Sequence, residues 1–231
     1  MSLGVLIGVL ALGIGFFTYI NSDEPMNINL QMGVFGIILL LAGTMFTSNI
    51  FADLGDKHRS VSALTLPASH FEKYLLGWLY SYVIFQLIYL AVFPPIIAII
   101  LHTRHWPVHF EVLDVIHQRG VGWMLLFYAF MHSVAMCGAI FFKKLHFIKT
   151  GFIFFIGLML LTLINKTVVE IALGRDIISA VPFAQINFFE GRNYFSISPS
   201  NNTDAFFICM TLSLAFILWV AAYFRLTEKQ V

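Results

Sequence analysis

Four histidines are the first candidates for chemistry in this sequence, because they cluster in one polar connection between apolar runs. His105 and His109 stand four positions apart, so they would share one face if that stretch were helical. Paired imidazoles at this spacing can hold a metal ion, but no cysteine joins them and the nearby acidic residues complete no recognised ligand motif. They are weak metal candidates, and the alternative is an ordinary interfacial loop. The cluster comprises His102, His105, His109 and His117.

A second candidate is a charged pair inside an apolar run. Lys166 and Glu170 stand four positions apart and therefore share a helix face, with Asn165 beside them. Charges at membrane depth are costly and mark functional candidates. The functional interpretation is a polar lining at the external mouth of a translocation path. The alternative is an ion pair that neutralises itself near the membrane interface.

No motif of covalent or nucleotide chemistry is present. The sequence contains no Gly-x-x-x-x-Gly-Lys-Ser/Thr run, no Gly-x-Ser-x-Gly elbow and no His-Glu-x-x-His pair. His132 is the only histidine deep within an apolar run, which argues against a haem site with paired axial histidines. We therefore expect no catalytic residue and no cofactor in this chain.

The elements that position these residues are membrane spans. Of 231 residues, 59% are hydrophobic and only 11% are charged, too few charges to cover a water-exposed surface. The net charge of +1 gives no reason to expect nucleic-acid binding. We predict one all-α transmembrane domain over 1–231, with the third span kinked or ended early at Pro94-Pro95. The six predicted spans are 3–20, 29–51, 74–101, 121–142, 150–173 and 205–224.

The distribution of basic residues predicts the orientation of these spans. The second and fourth connections and the tail carry eight Lys or Arg residues, whereas the first, third and fifth connections carry four. Cytoplasmic connections are enriched in Lys and Arg, so both termini are expected in the cytoplasm, in agreement with an even number of spans.

The connection 52–73 is the most informative segment. Its first part is polar and could form a short amphipathic helix, which Pro67 would stop. Ser69 is then expected to cap a new helix that runs into the third span, because Glu72 three residues later completes a capping box. A helix presented between two spans can dock on a soluble partner and pass its motion to both spans.

This segment resembles the corresponding segment of type-2 ABC transporter permeases, in particular bacterial members with a Leu-Pro-Ala-Ser-x-x-Glu-Lys sequence, here residues 66–73. In topology, the resemblance covers the whole chain. One departure is that the amphipathic helix with which such proteins usually begin is absent here, which suggests a truncated start or a divergent member. The resemblance implies a coupling helix that contacts a separate ATPase subunit carrying ATP and Mg²⁺, and short helices between spans five and six. The implied coupling residues are Asp53, Asp56, Lys57, His58, Arg59, Ser60, Pro67, Ser69, Glu72 and Lys73.

Two functions follow as hypotheses. By resemblance, the chain would be the permease subunit of an ATP-driven exporter in the bacterial cytoplasmic membrane, paired with a second permease subunit, identical or different. The alternative is a stand-alone membrane protein, either an enzyme or a carrier of metal or small molecules that uses the histidine cluster. Neither hypothesis identifies the transported substrate.

Overall fold

A computed structural model describes residues 8, 13–15, 25–55, 69–102, 111–142, 145–180, 182, 186–190, 193–197 and 204–230. Most of these residues are helical, and residues between the last two helices in the sequence form one small sheet. The helices are α1 (Ile28–Gly55), α2 (His70–His102), α3 (Arg119–Phe141), α4 (His146–Leu173) and α5 (Asp204–Gln230). The strands are β1 (Ile177–Ala180), β2 (Ile186–Glu190) and β3 (Asn193–Ile197).

All five helices are long and apolar enough to cross a membrane, as expected of a multi-pass membrane protein. They confirm the second to sixth predicted spans as helices. Most of the first predicted span lies outside the described residues. Gly8 and residues 13–15 are helical there, and Ile14 is buried in the core formed with α1. The count of six spans and the side of the membrane that each terminus faces remain predictions.

Helix α2 does not end at Pro94-Pro95, so the alternative of an early end is excluded, and the predicted span 74–101 lies within the helix. The helix continues through both prolines to His102. Proline removes a backbone hydrogen bond, but neighbouring helices can compensate for this within a membrane. Here a row of buried side chains at four-residue spacing continues on both sides of the prolines and keeps the helix packed. The row consists of Phe85, Tyr89, Phe93, Ile97 and Leu101.

The described chain forms two compact units, residues 1–147 with 211–231 and residues 148–210. In the first unit, α1 packs closely on α3. Gly43 permits this approach, because a Cβ atom there would collide with the ring of Tyr128. At one end of the unit, the buried side chain of Gln31 accepts a hydrogen bond from the Leu113 N–H (2.8 Å) and donates to the Glu111 carbonyl (2.7 Å). Gln31 thus fixes the connection that precedes α3.

The opposite end of this unit gathers the end of α1, the start of α2 and the ends of α3 and α5. Phe51, Tyr74, Ile140 and Leu226 share one buried cluster there. The connection after α1, the connection after α3 and the C-terminal tail therefore leave the helices at the same end. These are the three segments predicted to be cytoplasmic; which side of the membrane this end faces stays a prediction.

The second unit corrects the prediction for the long connection between α4 and α5. Helices were expected there, but the described residues form a three-stranded antiparallel sheet in the order β1-β2-β3. The pairing places Phe188 opposite both Ile177 and Phe195. Aromatic and β-branched residues favour strands, and this register places these three residues on one face of the sheet and Phe189 and Tyr194 on the other. The fold is therefore mostly helical with one small sheet.

Candidate functional site

The start of α2 has the predicted capping geometry. The Glu72 N–H donates to Ser69 Oγ at 3.3 Å, and the Ser69 N–H donates to Glu72 Oε2 at 2.8 Å. Two backbone donors that would otherwise lack partners at the helix start are thereby satisfied. The predicted capping box is confirmed, and Lys73 lies in the first turn of the same helix.

The rest of the predicted coupling segment is barely described. Asp53 lies in the last turn of α1. Outside the described residues lie Asp56, Lys57, His58, Arg59, Ser60 and Pro67.

The first turns of α2 are fastened to α5. The Tyr74 hydroxyl donates to the Trp219 carbonyl at 2.7 Å. The ring of Tyr223 makes edge contacts with Phe71 at 5.9 Å and with Tyr74 at 5.3 Å between centroids. Movement of the capped end of α2 would therefore act directly on α5.

About two helical turns further along α2, at Ser81, His132 joins three helices in a buried hydrogen-bond chain. Trp219 Nε1–H donates to His132 Nδ1 at 3.1 Å. An indole nitrogen only donates, so Nδ1 is the acceptor and the neutral ring carries its proton on Nε2. His132 Nε2–H then donates to Ser81 Oγ at 2.9 Å, and the Ser81 hydroxyl donates to the Gly77 carbonyl at 2.8 Å. The chain thus connects α5, α3 and α2, and we name Ser81, His132 and Trp219 the histidine network.

Ser81 lies in a π-helical segment of α2, Leu79–Ile84. Such segments widen the helix and are frequent at functional sites. The Tyr128 hydroxyl of α3 donates to the Ser81 carbonyl at 3.1 Å, so backbone and side chain of the same residue are both held by α3. The aromatic ring of Tyr82, also in the π segment, lies 5.1 Å from His132 and 5.3 Å from Trp219. The sequence alone indicates only the depth of His132, because its partners lie 51 and 87 positions away.

The predicted polar group in α4 holds the sheet. Lys166 and Glu170 share a helix face as predicted, with Nζ and Oε1 3.6 Å apart. Asn165 Nδ2 donates to the Ala180 carbonyl at 2.8 Å, and the Ile177 N–H donates to Glu170 Oε1 at 3.3 Å. Asn165 and Glu170 therefore attach β1 to the helix. A role in lining a translocation path remains a prediction.

The histidine cluster is only partly described, since His105 and His109 lie outside the described residues. His117 Nδ1 donates to Asp114 at 2.7 Å, and both side chains are exposed. The N–H of Ile116, the side chain of His117 and the His117 N–H donate to Asp114, and these hydrogen bonds hold the pKa of its carboxyl below its usual value. Within the described part of the chain, no three His, Cys, Asp or Glu side chains come together to hold a metal ion.

Similarity to known proteins adds no assignment. Comparison of the chain with protein-family models, with curated proteins and with solved structures found no match. Function must therefore be inferred from the residues and their geometry.

Proposed function

We propose that this chain is the membrane-spanning permease subunit of an ATP-driven exporter, in which ATP is hydrolysed by a separate subunit. The observation that carries the proposal is the sequence at residues 66–73 together with the capping box of Ser69 and Glu72, which starts a helix that continues without a break to His102. A 33-residue helix is about 50 Å long at 1.5 Å per residue. It is long enough to extend from a docking surface outside the membrane through the whole bilayer.

The contacts of α2 supply a route for motion. The ATPase subunit would bind the connection 52–69, which begins in the last turn of α1 and ends at the cap of α2. ATP binding would move this connection, and α2 would follow as a rigid body because its start is capped. Tyr74 and the histidine network would pass the movement to α3 and α5, since hydrogen bonds between helices require them to move together or break.

The other components follow from the same proposal. ATP and Mg²⁺ would bind the partner subunit, and two permease subunits, identical or different, would enclose the path in the bacterial cytoplasmic membrane. Helix α4 has 28 residues and is apolar enough to cross a membrane, as this proposal requires.

The test is affinity co-purification of the tagged full-length protein in mild detergent. The Lys57→Glu/Arg59→Glu variant reverses two charges at the proposed docking segment. The Arg104→Glu/Arg192→Glu variant is the matched control, because it makes the same charge change in connections predicted to face the other side. We expect an ATPase subunit to co-purify with the wild type and the control but to be lost from the docking variant.

Two results would overturn the proposal. If no ATPase co-purifies from cells with native expression, the stand-alone alternative takes its place. If both double variants lose the ATPase equally, the connection 52–69 is not its docking site.

A further inference from the structure

The sheet of the second unit has an apolar face that α4 covers only in part. In an antiparallel sheet, directly paired residues point to the same face. The inner part of this face packs with Val169 of α4 in a buried cluster. On β3, however, Phe195 and Ile197 are 42% and 52% exposed. The face consists of Ile177, Ala180, Ile186, Phe188, Phe195 and Ile197.

The charges of α4 show where this sheet lies relative to the bilayer. Between Lys149 and Lys166 the sequence has no charged residue, and these 16 residues span about 24 Å of helix. The hydrocarbon core of a bilayer is about 30 Å thick. Lysine side chains reach outward from helix ends to the interface, which accounts for the difference. Lys166 therefore marks the boundary between acyl chains and headgroups.

The sheet is attached at this boundary and not beyond the end of the helix. Asn165 holds the Ala180 carbonyl, and Glu170 accepts from the Ile177 N–H. The two attachment points are five residues, or about 8 Å, apart along α4. Asn165 lies on one side of Lys166 along the helix and Glu170 on the other, so strand β1 runs back along α4 across the boundary that Lys166 marks.

We propose that Phe195 and Ile197 contact lipid at the boundary between headgroups and acyl chains, so that the sheet is a membrane contact in addition to the spanning helices. Tyrosine is enriched at this depth, and Tyr194 lies next to Phe195 on the same strand. The headgroup layer also contains water that can bond to the backbone N–H and C=O groups along the outer edge of β3. The hydrocarbon core would leave these groups without partners. On the opposite face, Ser196 pairs with Asn187, whose side chain donates to Ser179 Oγ at 3.0 Å. That face is therefore polar at this pair, and its aromatic residues Phe189 and Tyr194 lie beyond it toward the connection between β2 and β3.

The test uses spin labels on the full-length protein in phosphatidylcholine–phosphatidylglycerol vesicles. In a Cys137→Ala/Cys209→Ala background, the single variants Phe195→Cys, Ile197→Cys and Ser196→Cys are labelled with a nitroxide. Power saturation then compares collision with oxygen, which concentrates in lipid, and with a water-soluble nickel complex. We expect a higher oxygen-to-nickel ratio at 195 and 197 than at 196, the neighbouring position on the polar face.

Two results would overturn the lipid contact. Dominant nickel collision at 195 and 197 would place the sheet in water. Low collision with both reagents at these positions would mean that protein covers them, and disulfide formation between labelled-site variants would identify a second copy. Ile197→Cys keeps Phe195 in place and tests the same face if Phe195→Cys disturbs folding. None of these results depends on ATPase binding, so this inference and the transport proposal fail separately.

Discussion

Trp219 on α5 donates its indole N–H to Nδ1 of His132 on α3, although the two residues are 87 positions apart in the chain. This hydrogen bond fixes the histidine tautomer and directs the Nε2 proton to Ser81 in the π segment of α2. Three helices therefore share one chain of hydrogen bonds, with His132 fully buried at its centre. If the chain is a transporter, this is the place where movement of α2 reaches the other helices.

Replacement of His132 by Phe should destabilise the protein. The ring volume is largely kept, but the Trp219 N–H loses its acceptor and Ser81 loses its donor. A buried polar group left unpaired costs about 1–3 kcal/mol. We expect a lower midpoint of thermal unfolding in detergent for His132→Phe. The exposed His70→Phe is the control and should unfold like the wild type; equal midpoints for all three proteins would show that the network contributes nothing to stability.

Gly43→Ala should be harmful, whereas Gly33→Ala on the same helix should not. A Cβ at position 43 would collide with the Tyr128 ring, while a Cβ at position 33 meets no atom within 4 Å. Because Tyr128 is buried and bound to the Ser81 carbonyl, its ring has no free space to move into. Overpacking of this kind costs about 1–3 kcal/mol. Thermal unfolding of both variants checks the prediction, and a Gly43→Ala protein as stable as Gly33→Ala would contradict the close packing of α1 on α3.

Loss of the cap at Ser69 should loosen the start of α2. Ser69→Ala removes the acceptor of the Glu72 N–H and should cost about 1 kcal/mol, whereas Ser69→Thr keeps a hydroxyl in the same place. Hydrogen exchange of the amides in 70–73 is the direct measurement, with faster exchange expected for the Ala variant only. Similar exchange in the Ala and Thr variants would mean that the capping box does not hold the helix start.

The attachment of the sheet to α4 should weaken when position 170 loses its hydrogen-bond acceptor. Loss of the negative charge alone should have little effect. Glu170→Gln retains an acceptor for the Ile177 N–H but abolishes the ion pair with Lys166. This ion pair is weak because both side chains are partly exposed to solvent. Glu170→Ala removes both interactions. We expect faster amide exchange at 177–180 in Glu170→Ala and little change in Glu170→Gln. The reverse order would assign the attachment to the ion pair.

The turn at Asp114 should open at acidic pH. Hydrogen bonds from Ile116 and His117 lower the folded-state pKa of the carboxyl below that of the unfolded chain. A lowered pKa stabilises the fold above the unfolded-state pKa, and this contribution is lost as pH falls through the folded-state pKa. Nuclear magnetic resonance titration of the Asp114 carboxyl should give a midpoint below that of a reference Asp peptide. In the wild type, the amide resonances of Ile116 and His117 should shift as the Asp114 carboxyl titrates, and in Asp114→Asn this shift should be absent. A wild-type carboxyl midpoint equal to that of the reference peptide would contradict these hydrogen bonds.

The spans and the start of α2 could be predicted from the sequence, because both depend on local information. A run of apolar residues long enough to cross the core must satisfy its backbone as a helix, whatever lies around it. Ser69 and Glu72 bond to each other's backbone only three positions apart, so their geometry needs no distant partner. The Lys166–Glu170 pair belongs to the same class, since a helix brings residues four apart together.

The sheet and the histidine network could not be predicted in this way. Short apolar pieces such as 186–189 suit a helix as well as a strand, and the choice was made by pairing with neighbouring strands and by packing on Val169. The prolines of α2 do not end the helix for the same reason, because the buried row on either side of them outweighs a local preference.

The sequence by itself determined that this chain lies in lipid, where its helices run and how α2 begins, since composition, length and neighbouring side chains govern these features. Only the tertiary structure decided which residues meet across helices. Ser81, His132 and Trp219 become partners because close packing of α2, α3 and α5 leaves no water for their polar atoms, so each must find its hydrogen bond in a residue far away in the sequence.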